Sequence, residues 1–290
     1  MARVSFHAFI DSTVWFPRAI SLFNNPGLDA KVDVLCCISQ PEQLIWICPT
    51  RGFIMRESIT IARRFCGPSD SGNGGYVCGL LARYIDGTAE VMLRQPPPLE
   101  QPLIVERDSG KMFLLKSGDT VIARAGSSSL DLDVPQPPTY AEAKRASKGY
   151  IGFHSHPFPL CFVCGPDRSE GDGLRIFPGS MGLSDIVASA WVPDESLADD
   201  NGYVRDEFIW ASLDCPGAFA VIDRFPVVLG KLTAHVTGRV QPGQRCVATG
   251  WKIAREGRKL HAGTAVFSEN GDLLGRARAV WIEIDAGKAL

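Results

Sequence analysis

The chain has no apolar run approaching the roughly 20 residues that a membrane-spanning helix requires. It also has almost no net charge. Thirty Lys and Arg set against 32 Asp and Glu leave −2, and the basic residues are scattered rather than clustered. That removes the electrostatic footprint of a nucleic-acid binder. Residues 1–9 lack the basic end and long apolar centre of a secretory signal, so a cytoplasmic location is expected. No second Cys-x-x-Cys accompanies Cys161 and Cys164, and nine cysteines in 290 residues do not make a small disulfide scaffold. Reduced thiols are expected instead. What is present is an ordinary globular balance, 45% hydrophobic and 21% charged, in a chain long enough for two domains.

One ten-residue pattern occurs twice. Asn73-Gly74-Gly75-Tyr76-Val77-Cys78-Gly79-Leu80-Leu81-Ala82 aligns without gaps on Arg205-Asp206-Glu207-Phe208-Ile209-Trp210-Ala211-Ser212-Leu213-Asp214. Tyr76 matches Phe208, Val77 matches Ile209, Gly79 matches Ala211 and Leu81 matches Leu213. The first copy has paired glycines at a helix start, and the second has an acid where the first has Ala82. A site drawn from both copies would hold an anion at one helix end and a carboxylate from the other.

The elements around each copy repeat as well. Residues 1–57 are an N-terminal extension, either extra strands or a poorly ordered leader. A strand is expected over 58–64, then a helix from Asn73 to about Tyr84, then strands over 88–94, 102–106, 111–115 and 120–125. Residues 127–149 read as a polar, proline-bearing connector ending in a short charged segment. Strands over 174–177 and 186–192 follow, then one helix over about 206–221, and strands over 231–240, 245–254, 259–267 and 273–284. One helix covering one face of an antiparallel sheet, twice, gives an α+β fold. The division is 1–57 extension, 58–126 first unit, 127–172 linker with the Cys-x-x-Cys segment, and 173–290 second unit.

These residues resemble the hotdog-fold acyl-CoA thioesterases. Ser71 through Ala82 is similar to the glycine-led helix start of that family, and Trp210-Ala211-Ser212-Leu213-Asp214 is similar to its acid-bearing helix. Cys161-Phe162-Val163-Cys164-Gly165 with Gly173-Leu174 resembles a segment ahead of the fold in phenylacetate-pathway-like thioesterases. The resemblance covers about 58–126 and 161–284 and implies two tandem hotdog units forming a pseudo-dimer. It further implies hydrolysis of an acyl-CoA or related acyl thioester, with coenzyme A as part of the substrate and no separate cofactor. A homodimer of such double units is left open. The family's double-unit members often add a threonine and a glutamine to the acid; here Ala262 and Ala279 fall at those places. A non-catalytic acyl-CoA-binding protein is therefore the alternative. A hydratase is disfavoured because no histidine lies within ten residues of Asp214.

The roles follow from helix-start chemistry. The first amides of a helix lack partners and carry the positive end of its dipole. Gly75 and Tyr76 are the expected oxyanion donors, with Gly74 admitting the substrate and Asn73 capping the helix. Glycines here also suit plain close packing. Asp214, among Trp210, Leu213, Cys215 and Phe219, is the expected base or nucleophile, its pKa raised by apolar company. Pro216 should kink the chain nearby, and an acid at a frayed turn is the plainer reading. Arg258 and Lys259 are candidates for the coenzyme A phosphates, or are simply solvated. His154, His156, Cys161 and Cys164 have zinc-ligand spacing, but a structural loop without metal is expected because Pro157 and Pro159 restrict the segment. His235 and His261 read as ordinary strand histidines.

Overall fold

The structure, a computed structural model, describes residues 56–284 apart from 109, 111, 183–184 and 224–225, all within the unit Arg51–Leu290. Residues 1–55, most of the expected extension, lie outside the described residues. The first half holds β1 (Arg56–Thr60), α1 (Gly74–Ala82), β2 (Ala89–Leu93), β3 (Pro102–Arg107), β4 (Phe113–Ser117) and β5 (Thr120–Ser127). The connector carries α2 (Tyr140–Ser147). Then come β6 (Gly179–Ser180), β7 (Ile186–Trp191), α3 (Asp206–Ser212), α4 (Cys215–Val221), β8 (Val227–Val236), β9 (Cys246–Glu256), β10 (Lys259–Ser268) and β11 (Leu273–Glu283).

The strands form one antiparallel sheet in the order β1-β3-β4-β5-β2-β8-β11-β10-β9-β7-β6. The halves meet at the β2–β8 pair, where Ala89 lies opposite Ala234 and Val91 opposite Leu232. All four are fully buried, while between them Glu90 on the other face bonds Lys231 and Thr233. The period-2 alternation of a strand thus gives the seam one dry face and one polar face.

The helices lie on the dry face. Eight of the nine residues of α1 are buried, as expected of a helix that is apolar all round. It packs antiparallel on α3 because glycines at an i, i+4 spacing leave no side chain between them. A Cβ on Gly79 would stand 2.5 Å from the Glu207 Cα, and one on Gly75 would stand 2.9 Å from the Trp210 carbonyl oxygen. Tyr76, Phe208 and Phe65 stack beside this contact, with Phe162 from the connector closing the cluster.

Several sequence expectations are corrected. The helix expected over 206–221 is two helices, broken at Leu213-Asp214 ahead of Pro216. The segment 174–177 is not a strand: Arg175 has φ 53°, and Leu174 and Ile176 instead donate to the Phe162 and Val163 carbonyls. The first strand stops at Thr60, with Arg63–Phe65 forming a 3-10 turn. The charged segment of the connector is a helix, started by a capping box between Thr139 and Glu142. Its Ala143 is buried against Ala188 and Val247 of the second half.

Candidate active site

Asp214 occupies the joint between α3 and α4. Pro216 has no amide hydrogen, so the helical ladder cannot run through it. The Leu213 carbonyl set free at the break accepts a 2.7 Å bond from the buried Thr264 hydroxyl on β10. Asp214 itself has φ −82°, ψ −80°, and its carboxyl does not cap the helix it precedes. It reaches across to α1. There Oδ2 accepts bonds from the Gly75 amide at 3.0 Å and the Asn73 side-chain amide at 2.8 Å. The acid of one sequence copy thus closes the helix start of the other. Its second oxygen, Oδ1, is buried and has no partner among the described residues. Burial pushes the carboxyl up, to about 7, against the opposing pull of the Gly75 and Asn73 donors.

The two amides expected to receive a carbonyl oxygen are already engaged. Gly75 N–H donates to Asp214, and Tyr76 N–H donates to the Asn73 Oδ1 at 2.9 Å. Asn73 is the cap, as expected, but its capping bond consumes the Tyr76 donor. Gly75 is required by packing: a Cβ there would stand 2.5 Å from the Asp214 Cβ. The Gly74 amide, first of the helix, has no partner among the described residues and belongs to the wall of a cleft.

That cleft has a volume of about 480 Å³. Asp214 and Gly74 line it beside Leu93, Phe219, Leu229 and Trp281, giving a mostly apolar slot. The indole N–H of Trp281 is the second buried polar group on this wall without a partner. Arg258 and Lys259 do not reach it. Both are exposed at the β9–β10 hairpin, and the Arg258 guanidinium donates to the Glu283 carbonyl. Among the described residues the cleft's Arg or Lys is Arg94, just past β2, which sequence reading missed because a lone arginine before Gln95-Pro96 has no distinguishing pattern. Ala262 and Ala279 face one another across β10 and β11, fully buried. Thr264, two residues along β10 and so on the same side of the strand, supplies a hydroxyl near the Asp214 joint.

The Cys-x-x-Cys segment stands at the same wall. Cys161, Cys164 and Cys215 are buried with their sulfurs within 4.8 Å of one another, and His156 Nε2 lies 3.3 Å from the Cys164 sulfur. Cys215 comes from the start of α4, 51 residues beyond Cys164, so spacing alone did not reveal it. His154 is exposed and stands outside this group.

No protein-family model and no curated protein sequence matches the chain. Solved structures do. The tesB protein of Mycobacterium avium subsp. paratuberculosis has a TM-score of 0.52 at 13% identity, over 79% of this chain and 92% of that one. A conserved protein of Alicyclobacillus acidocaldarius, described as having a hot dog fold, has a TM-score of 0.52 at 10% identity, over 80% and 94%. Acyl-CoA thioesterase II TesB2 of Mycobacterium marinum has 0.51 at 10%, over 79% and 93%. At such identities the likeness is one of fold, and the fold is the hotdog.

Proposed function

From this hotdog fold and the bonding of Asp214, we propose that the chain hydrolyses acyl-CoA, or a related acyl thioester, to a carboxylate and a thiol. Two hotdog units packed as a pseudo-dimer supply one site between them. The observation that carries this reading is the Asp214 carboxyl, which crosses from the second unit to the helix start of the first at the wall of an apolar cleft.

Water is the nucleophile when Asp214 acts as base. With Oδ2 held by two donors, Oδ1 is left to take the proton of a water entering the cleft. The water oxygen bonds to the thioester carbon, negative charge gathers on the carbonyl oxygen, and the carbon–sulfur bond breaks as the thiolate leaves and is protonated. The unpartnered Gly74 amide and the Trp281 indole N–H are the donors available for the oxyanion. Direct attack by Asp214 to form an anhydride uses the same contacts. Thr264 fixes the joint that aims the acid.

A non-catalytic binder is the second reading, favoured by the apolar Ala262 and Ala279 pair. One assay separates them. Incubation with acyl-CoAs of graded chain length should release free thiol, followed with a thiol-reactive dye. Thermal stabilisation by the same ligands with no thiol released at any length refutes hydrolysis and supports the binder.

A further inference from the structure

We infer that Cys161, Cys164 and Cys215 form a zinc site, with the three thiolates as ligands and His156 donating its Nε2–H to the Cys164 sulfur. This goes beyond thioester chemistry and stands whether or not the chain turns over a thioester.

The geometry is that of a sulfur-rich tetrahedral centre. Zinc–sulfur bonds of about 2.3 Å at tetrahedral angles place neighbouring sulfurs roughly 3.8 Å apart. Cys161 and Cys215 are 3.8 Å apart, and the full set falls within 4.8 Å, so only small side-chain rotations are needed to close on an ion. The loop is shaped for the purpose. Gly165 turns the chain where any Cβ would stand 2.5 Å from the Pro159 carbonyl oxygen and 2.6 Å from the Cys161 nitrogen. Core packing would accept any small apolar side chain at these places, whereas here three thiols from two segments far apart in sequence converge on one point.

His156 is assigned outside the ligand set by its hydrogen bonding. Phe158 N–H donates to Nδ1 at 2.8 Å, so the neutral ring carries its proton on Nε2. That N–H points at the Cys164 sulfur rather than offering a lone pair to a metal. Three protein ligands leave a fourth position, and since all three cysteines line the cleft, solvent or a ligand there completes the tetrahedron. Binding displaces the three thiol protons to solvent and needs no oxidant. The ion would tie the connector to the residue next to Asp214.

The test is metal analysis and cobalt substitution on the full chain, purified without chelator from zinc-supplemented medium. About one zinc per chain is expected, consistent with a single three-cysteine site. Chelator-treated protein titrated with Co²⁺ should develop the near-ultraviolet thiolate-to-cobalt band together with the intense visible bands of a tetrahedral centre. Cys161→Ser and Cys215→Ser should each abolish both signals, whereas Cys246→Ser, at a buried cysteine elsewhere, should keep them. His156→Ala should weaken affinity by roughly 10–100-fold while leaving the thiolate band in place. Wild-type protein that takes up neither metal, or that shows a Cys161–Cys215 disulfide by non-reducing peptide mapping instead, overturns the assignment even if a cysteine variant fails to fold. Full metal content in Cys215→Ser overturns it as well.

Discussion

Replacing Asp214 by Asn and by Ala should separate chemistry from architecture. In Asp214→Asn the amide oxygen can still accept both the Gly75 and Asn73 donors, and the shape is nearly unchanged. The new NH₂ replaces an oxygen that has no partner on the cleft wall, so its cost is small. We expect Tm to shift by less than about 2 °C, which in a chain of this size corresponds to under about 1 kcal/mol. In Asp214→Ala both donors lose their acceptor. Truncating a side chain that lines the cleft leaves room for a water to bond these buried donors, so the low end of the range applies, about 1 kcal/mol for each. The sum is a fall in Tm of roughly 4–8 °C. Activity should order the variants differently. Loss of a positioned base removes roughly 10²–10⁴ in rate in both, including the variant whose stability is preserved. Thiol release from the best acyl-CoA, measured beside differential scanning calorimetry on the same samples, gives both readings. An Asn variant retaining more than half the wild-type rate would remove Asp214 from the reaction, whatever its structural value.

Other consequences concern the elements that place the acid. Gly79→Ala drives a Cβ to 2.5 Å from backbone of α3, and overpacking of this kind should cost about 1–3 kcal/mol, read by urea denaturation; an unchanged midpoint contradicts the close helix contact. Thr264→Val deletes the bond to the Leu213 carbonyl and should cost about 1 kcal/mol. It should also lower kcat more than it raises KM, because the joint carrying Asp214 loosens. Arg94→Glu at the cleft should raise KM for acyl-CoA, while Arg258→Glu, at a hairpin residue outside the cleft lining, should leave it unchanged. The reverse pattern in initial-rate kinetics would move the phosphate contact back to the hairpin.

Much of the architecture was legible because local pattern and tertiary role agree. Most strands, including β7, β9, β10 and β11, lie within a few residues of where alternation and turn chemistry predicted them, and α1 begins directly after the cap Asn73. The failures have physical causes. Arg175, in the left-handed region, breaks an apolar stretch that otherwise reads as a strand. α2 has mean polarity typical of a connector, and the Thr139–Glu142 capping box was the available signal. The helix break was signalled by Pro216, but the Thr264 hydroxyl that bonds the freed Leu213 carbonyl comes from another strand.

The duplicated decapeptide determined by itself that two similar helices exist, that one begins with glycines and that an acid follows the other, since composition and 3.6-residue spacing act over a few turns. Only the packed molecule decided which atoms are free. Gly75 and Tyr76 lose their open amides to Asp214 and Asn73, and Cys215 joins Cys161 and Cys164. Donor satisfaction and the meeting of side chains far apart in sequence depend on which segments pack together; the Gly75–Gly79 spacing permits a close crossing but does not specify its partner.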